Sequence, residues 1–578
     1  MMQCTSSPAE APAKLSSPPT STTKQQFIDH VVSSFTVALD AETLYEQSYE
    51  LTRSLRSKVD LPDSLAMLPS FVDHLPTGKE QGDVLAIDIG GSNMRAAIVS
   101  LEPSAVNPIN RLRVRKHQTW AITVTVKSLS GSEFFSWIAT NIQNFLYELM
   151  RADLGFELAA LPAGLVWSFP LEQFELSDGN LREMGKGFVV GHELQGQSIK
   201  KCMDKAFAEM GLEIRLEAIL NDSVSALLAL SYVDPSTELS IIVGTGFNGG
   251  LRLPATAFNA SKLRHRSNRQ EDATRKNLEI LVDAELSVVG QGILPRVRTT
   301  WDSRVAALSP FGPDVLGLEL QVGGLFLGEL VRQVVVNAIN TVGLFDGHLP
   351  DLIQAPMTWE LRHGAILERS ELTAADVDLP QSVAESFGLP FKPSLEDTCL
   401  VRQICQAVTE RAAAYVAVAA YSMRSLQVLC RDVEDDVIGI DVSKVSCLGS
   451  VIEKYPGFMN KSQEYLDQLQ RVSPMSGPKF GGLQLQACSN SSLTGVAVAA
   501  LLGKMPGSDT TSTTISSPPP PDALGRTNLP EPCVAVDKTT EDFVQSMSEG
   551  CGIDEDLPGK RLGIWAWFRR FVRCRGRA

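Results

Sequence analysis

Two glycine turns, a lysine set between glycines and an Asn-Asp pair are the parts of this chain that could do chemistry. DVLAIDIGGSNMRAAIVSL gathers Asp88, Gly90, Gly91, Ser92, Asn93 and Arg95 between two apolar strands. Glycines let a phosphate approach the backbone, and the Ser92 hydroxyl and Asn93 amide can donate to it. Asp88, at a strand end, could hold a magnesium-bound water. ELSIIVGTGFNGGLRL supplies a second turn, with Gly244, Thr245, Gly246 and Asn248. Between them, GLVWSFPLEQFELSDGNLREMGKGF ends in Gly185-Lys186-Gly187-Phe188, a lysine in a loop. LEAILNDSVSALLAL places Asn221-Asp222 at a strand end before an apolar helix, which Asp222 or Ser223 is expected to cap. Taken singly, each piece is an ordinary turn or cap.

Positioning such groups takes strands that end in turns and helices packed behind them. Both glycine turns read as strand–turn–strand hairpins whose N–H groups can face an anion. Helical patterns run over Gly196–Met210 and Cys399–Met423; in the second, Ile404, Val408, Ala412 and Val416 recur every four residues. The alternation throughout residues 25–504 predicts an α/β protein with mixed sheets. Its 44% hydrophobic and 21% charged residues suit a soluble globular chain. A net charge of −15 argues against nucleic acid as a partner of the main body. No apolar run approaches the roughly 18 residues a membrane-spanning helix needs. The ten cysteines form no C-x-x-C pair or zinc spacing, which suits a reducing, cytoplasmic setting. Residues 1–24 lack the apolar core of a secretory signal and are expected to be disordered.

Together, in this order, the pieces resemble the eukaryotic hexokinases. LPTGKEQGDVLAIDIGGSNMRAAIV is similar to that family's first phosphate motif, and WSFPLEQ through GKGF to its sugar-binding signature. LNDSVSALLA is similar to the segment bearing the catalytic aspartate, and IIVGTGFN to the second phosphate loop. ILVDAELSVVG and LELQVGGLFLGELVRQVV resemble the stretches carrying two sugar-binding glutamates, here Glu285 and Glu319. The resemblance implies a two-lobed actin-like (ribonuclease H-like) fold. Residues 25–82 and 221–488 would form the large lobe and 83–220 the small lobe, with 489–504 a helix returning to the small lobe. It implies a hexose site of Ser168, Lys186, Asn221, Asp222, Asn248, Glu285 and Glu319. Asp222 would be the base for the 6-hydroxyl, and Lys186 would supply positive charge to the transferring phosphoryl. ATP and Mg²⁺ would lie on the glycine turns and on Gly449-Ser450. An actin- or chaperone-like ATPase would share the hairpins but not Lys186 or the two glutamates.

The departures from the family pattern cluster. Gly185 stands where the family has a threonine, and Phe247 where it has a small residue. Leu448 replaces the aspartate of an Asp-Gly-Ser adenosine motif, and Leu493 a glycine. The last change removes a positive-φ option and is expected to crowd the ribose or phosphates. These changes resemble an atypical fungal hexokinase-like branch associated with regulation of carbon-source responses, which sets a catalytically weak sugar sensor beside the kinase as a reading. Residues 505–558 read as a Ser/Thr/Pro-rich linker. Residues 559–578 carry seven positive charges interleaved with Leu562, Trp565, Trp567, Phe568, Phe571 and Val572, and removing those charges takes the net from −15 to −22. Such a tail suits an anionic membrane surface or a protein partner, and is also compatible with disorder.

Overall fold

The computed structural model describes residues 23–502, apart from 63, 92, 153–160, 170, 183, 185–187, 190, 267–277, 292–297, 310–314, 369–377, 432–441 and 474–479. Residues 1–22 of the leader, the linker and the basic tail therefore lie outside the described residues, as do Lys186 and Ser92, whereas Thr23 and Lys24, expected in the disordered leader, cap and open the helix Lys24–Thr36.

Among the described residues the strands run β1 (Leu68–Pro69), β2 (Gly82–Ile89), β3 (Asn93–Leu101), β4 (Leu112–Ala121), β5 (Leu161–Trp167), β6 (Leu171–Glu175), β7 (Asp178–Leu181), β8 (Ile214–Leu220), β9 (Thr237–Val243), β10 (Phe247–Pro254), β11 (Glu279–Asp283), β12 (Val442–Leu448) and β13 (Gly482–Ala487). Two mixed sheets result. One has the order β4-β3-β2-β5-β8, the other β1-β11-β10-β9-β12-β13. In each, a hairpin is antiparallel (β2 with β3, β9 with β10) and a neighbouring strand is parallel (β5 with β2, β12 with β9). Antiparallel neighbours come from tight turns and parallel ones from helical crossovers. β6 and β7 form a separate short ribbon beside the first sheet.

One face of the first sheet packs on helix Gly131–Ala152, whose Phe134, Ile138, Ile142, Phe145 and Leu149 fall on one stripe and are all buried. The second sheet packs on helix Leu395–Cys430, buried from end to end of its middle turns. Its small residues Ala412, Ala413, Ala417, Ala419 and Ala420 let neighbouring helices approach closely. Between the sheets run helices Asp222–Val233 and Ser491–Ala499, which share a third apolar cluster. They touch backbone to backbone: a Cβ on Gly495 would sit 1.7 Å from the Ser225 carbonyl oxygen. Ser225 Oγ seals the contact by donating to the Ser492 carbonyl at 2.6 Å.

Three expectations change in detail. The helix predicted over Gly196–Met210 starts at Ile199, because Ser198 caps it by accepting from the Lys201 N–H. The helix predicted over Cys399–Met423 extends to Leu395–Cys430, because Ser394 caps its start and polar residues near its end, Arg424 and Gln427, find buried partners. Helix Gly324–Val342 is, against expectation, long and apolar enough to cross a membrane by length and composition, with a mean hydropathy of 1.2. It is a core helix: Phe326, Leu330, Val334 and Ala338 are buried, and its charged pair Glu329–Arg332 is satisfied internally.

Candidate active site

Asn221 and Asp222 stand where β8 ends and a helix begins. The expected cap is corrected here: Asn221, not Asp222 or Ser223, caps the helix, its side-chain oxygen accepting from the Ser223 N–H at 2.8 Å. Asp222 is the first helical residue, half-buried, at the end where backbone N–H groups favour negative charge. Behind it, Ser223 through Tyr232 are all buried, so the carboxylate is carried on a rigid base.

Asn248 lies on β10, directly after the second glycine turn. Its amide is fixed at both ends: Nδ2 donates to Asp283 Oδ1 at 2.9 Å, and Oδ1 accepts from the Leu286 N–H at 3.2 Å. Glu285 follows β11 in a left-handed conformation (φ 48°, ψ 56°), unusual for a side-chain-bearing residue and a mark of a constrained position. Its N–H donates to Asp283 Oδ1 at 3.3 Å. Asp283 was not singled out from the sequence. Burial, and then the neighbouring Glu285 carboxylate, push its pKa upward.

Glu319 opens the short helix Glu319–Val322 and faces the second glycine turn: a Cβ on Gly246 would lie 3.1 Å from its Oε2. Burial raises its pKa to about 7, against the opposing pull of a hydrogen bond from the Phe247 N–H. Phe247 itself is buried in the large core, so this departure turns inward. The ordinary value is 4.5, so folding favours the protonated acid. Stability is then full below about pH 4.5 and falls as pH rises through 7, by roughly 3 kcal/mol in all. Glu319→Gln cannot ionise. Denaturation at pH 8 should therefore find it up to roughly 3 kcal/mol more stable than the wild type, with the difference vanishing near pH 4.5. A difference independent of pH would refute this.

On the first sheet, Ser168 follows β5, and its N–H donates to the Ile89 carbonyl at 3.2 Å, beside the first glycine turn. That turn closes through Gly90 N–H to the Asn93 carbonyl at 3.0 Å; Gly91 lies within it, and Asn93 is exposed. Asp88 forms an ion pair with Arg95 on the same oxygen that accepts from Ser492 Oγ at 3.1 Å. Asp88 Oδ2 is thus engaged by the Arg95 guanidinium and the Ser492 hydroxyl. In the second turn, Gly244 N–H donates to the Gly246 carbonyl at 3.0 Å. Helix Gly324–Val342 docks there, with Gly324 and Leu325 N–H groups donating to the Gly244 and Thr245 carbonyls at 2.9 and 3.1 Å.

The hexokinase family's profiles match residues 28–232 and 238–502, one for each half. The chain belongs to the hexokinase family. N-acetylglucosamine kinase 1 of Candida albicans is 26% identical over 502 residues, covering 84% of this chain and 95% of that one. Hexokinase-1 of Saccharomyces cerevisiae is 28% identical over 419 residues, covering 71% and 78%. The solved hexokinase of Schistosoma mansoni, complexed with glucose, superposes with a TM-score of 0.66 at 25% identity, covering 83% of this chain and 99% of its own. The protein is thus a hexokinase-family sugar kinase with the two-lobed actin-like fold.

The segments expected from the sequence to face the nucleotide lie at the end of β12 and at the turn after β13. Leu448 ends β12, half-buried, and Gly449 follows at φ 124°, where a Cβ would meet the Val243 carbonyl oxygen at 2.4 Å. Ser450 then opens a five-residue helix. Glu453 from that helix bridges two turns, accepting from the Gly449 N–H at 2.7 Å and from Ser489 Oγ at 2.5 Å. The expectation that Leu493 crowds the nucleotide is corrected: it is 2% exposed and packs in the cluster between the sheets with Val84, Val166 and Leu220. The left-handed residue of this turn is Asn490, at φ 59°, which is the N-cap residue of the helix, while Leu493 lies inside it.

Proposed function

We propose that this hexokinase-family kinase transfers the terminal phosphoryl group of MgATP to the 6-hydroxyl of an aldohexose, glucose or N-acetylglucosamine. The observation that carries the reading is that Ser223, which follows Asp222, the Asn248 amide and the Glu285 N–H all bond to one buried carboxylate, Asp283. Asp222 would take the hydroxyl proton as the phosphorus–oxygen bond forms. Asn221 Nδ2, Asn248, Glu285, Glu319 and Ser168 would hold sugar hydroxyls, which both donate and accept. Lys186 would stabilise charge on the transferring group. The relatives favour two substrates: one is named for N-acetylglucosamine, another is solved with glucose. Coupled assays of the purified full chain with each sugar and MgATP decide between them. Turnover of either above background supports the reading; turnover of neither refutes it.

A second reading, a sugar-binding regulator with weak ATP use, is favoured by the Glu453 bridge and the Asp88–Arg95 pair. Both engage groups expected to face ATP. It predicts hexose binding by calorimetry with little MgATP binding in the hexose complex. Tight MgATP binding with ready turnover would exclude it.

A further inference from the structure

Asp283 ends β11, 6% exposed, and one of its carboxylate oxygens gathers three donors from three parts of the chain. Oδ1 accepts from Ser223 Oγ at 3.0 Å, from Asn248 Nδ2 at 2.9 Å and from the Glu285 N–H at 3.3 Å. Each donor sits on or beside a residue of the proposed hexose site. Ser223 follows Asp222, while Asn248 and Glu285 belong to the site themselves.

The three bonds do different things. The bond to the Glu285 N–H spans two residues, as in an Asx turn, and supports the left-handed backbone that swings Glu285 out of the strand. The bond from Asn248 orients its amide, because a carboxylate oxygen meets the NH₂ end and leaves the carbonyl end to the Gly249 and Leu286 N–H groups. The bond from Ser223 ties the start of the Asp222 helix to β11, next to the second tie that Ser240 Oγ makes to the Ser223 carbonyl at 2.7 Å. An alkyl side chain at 283 would leave three buried or half-buried donors without this acceptor.

We propose that Asp283 is a positioning residue that sets the mutual geometry of Asp222, Asn248 and Glu285 for the hexose. The proposal rests on the hexose-kinase reading and adds a residue to it.

All three bonds use Oδ1, so an asparagine at this position can supply an equivalent acceptor while a leucine cannot. Hexose KM, kcat and calorimetric Kd should be measured on the full chain as wild type, Asp283→Asn, Asp283→Leu and Ser223→Ala. Asp283→Asn should keep hexose affinity within about threefold. Asp283→Leu should raise KM and Kd by about tenfold or more and lower kcat as well. Ser223→Ala, which releases only the Asp222 side of the hub, should lower kcat by about threefold to tenfold with KM nearly unchanged. A purely structural role would instead lower the melting temperature and leave both constants of the folded fraction alone. That result in Asp283→Leu overturns the proposal; should this variant not fold, unchanged kcat in Ser223→Ala does so. Absence of any hexose binding by the wild type overturns the hexose-kinase reading with it, whereas wild-type binding that Asp283→Leu leaves intact overturns only the role of Asp283.

Discussion

Asp222→Ala should lower kcat for the hexose by about a thousandfold, within the 10²–10⁴ range of a positioned general base. The geometry makes this a clean experiment. The helix cap is Asn221, so removing the Asp222 side chain leaves the cap bond to the Ser223 N–H in place. Alanine is well tolerated inside a helix, and the loss of a carboxylate from the first turn costs about 0.3–1 kcal/mol. The protein should therefore stay folded while turnover collapses. Asp222→Asn sharpens the result, because an amide keeps a polar contact to the hydroxyl but cannot take its proton. It should match the alanine variant in kcat and the wild type in KM. Steady-state assays with circular dichroism on the same samples read both. A loss in kcat below about tenfold would mean another group takes the proton.

What could be read in the sequence was local, or carried by the order of motifs. The hairpins at Gly90-Gly91 and Gly244-Gly246 needed only glycines between apolar runs, and they formed as expected. The choice of cap at Asn221-Asp222 was not readable, since both side chains can cap a helix and only the backbone entering from β8 selects the first. Asp283 was hidden for a physical reason. A lone acid at a strand end is an unremarkable letter, and its meaning comes from partners at Ser223 and Asn248, 60 and 35 residues away. The same holds for Leu493, whose apolar character pointed to a clash with nucleotide only while its neighbours were unknown. Once its helix, Ser491–Ala499, is laid against the Asp222 helix, the side chain belongs to the core. Glu453 is the converse case: an ordinary glutamate on a short helix, which reaches Ser489 only because β12 and β13 are parallel neighbours that end together.

Arg411→Met should destabilise the large lobe by about 3–5 kcal/mol, because it leaves a buried carboxylate without its charge partner. Arg411 and Asp302 are each 1% exposed at the side chain and form a two-pronged pair at 2.7 and 2.8 Å. Burial acts to raise the Asp302 pKa, but the Arg411 charge and hydrogen bonds overcome it and hold the carboxyl below its ordinary range. The same carboxylate accepts from Thr299 N–H and Oγ1, both at 2.7 Å, closing the cap of helix Thr300–Ala307, and from Gln321 Nε2 at 3.3 Å. Gln321 lies two residues after Glu319, so the pair braces the short helix that presents Glu319 as well as the core behind it. Arg411 also stacks over the Phe35 ring, 4.5 Å from its centroid, which methionine replaces only in part. Urea denaturation should show the loss as a lower midpoint with unchanged slope. The double variant Arg411→Met, Asp302→Leu should recover most of it, since an apolar pair of similar volume often matches a buried ion pair. A deficit of about 1 kcal/mol should persist for the lost cap on Thr299. If the single variant loses less than about 1 kcal/mol, the pair does not hold these elements together. If the double variant is no better than the single, the loss comes from packing around Arg411 rather than from the stranded Asp302 charge.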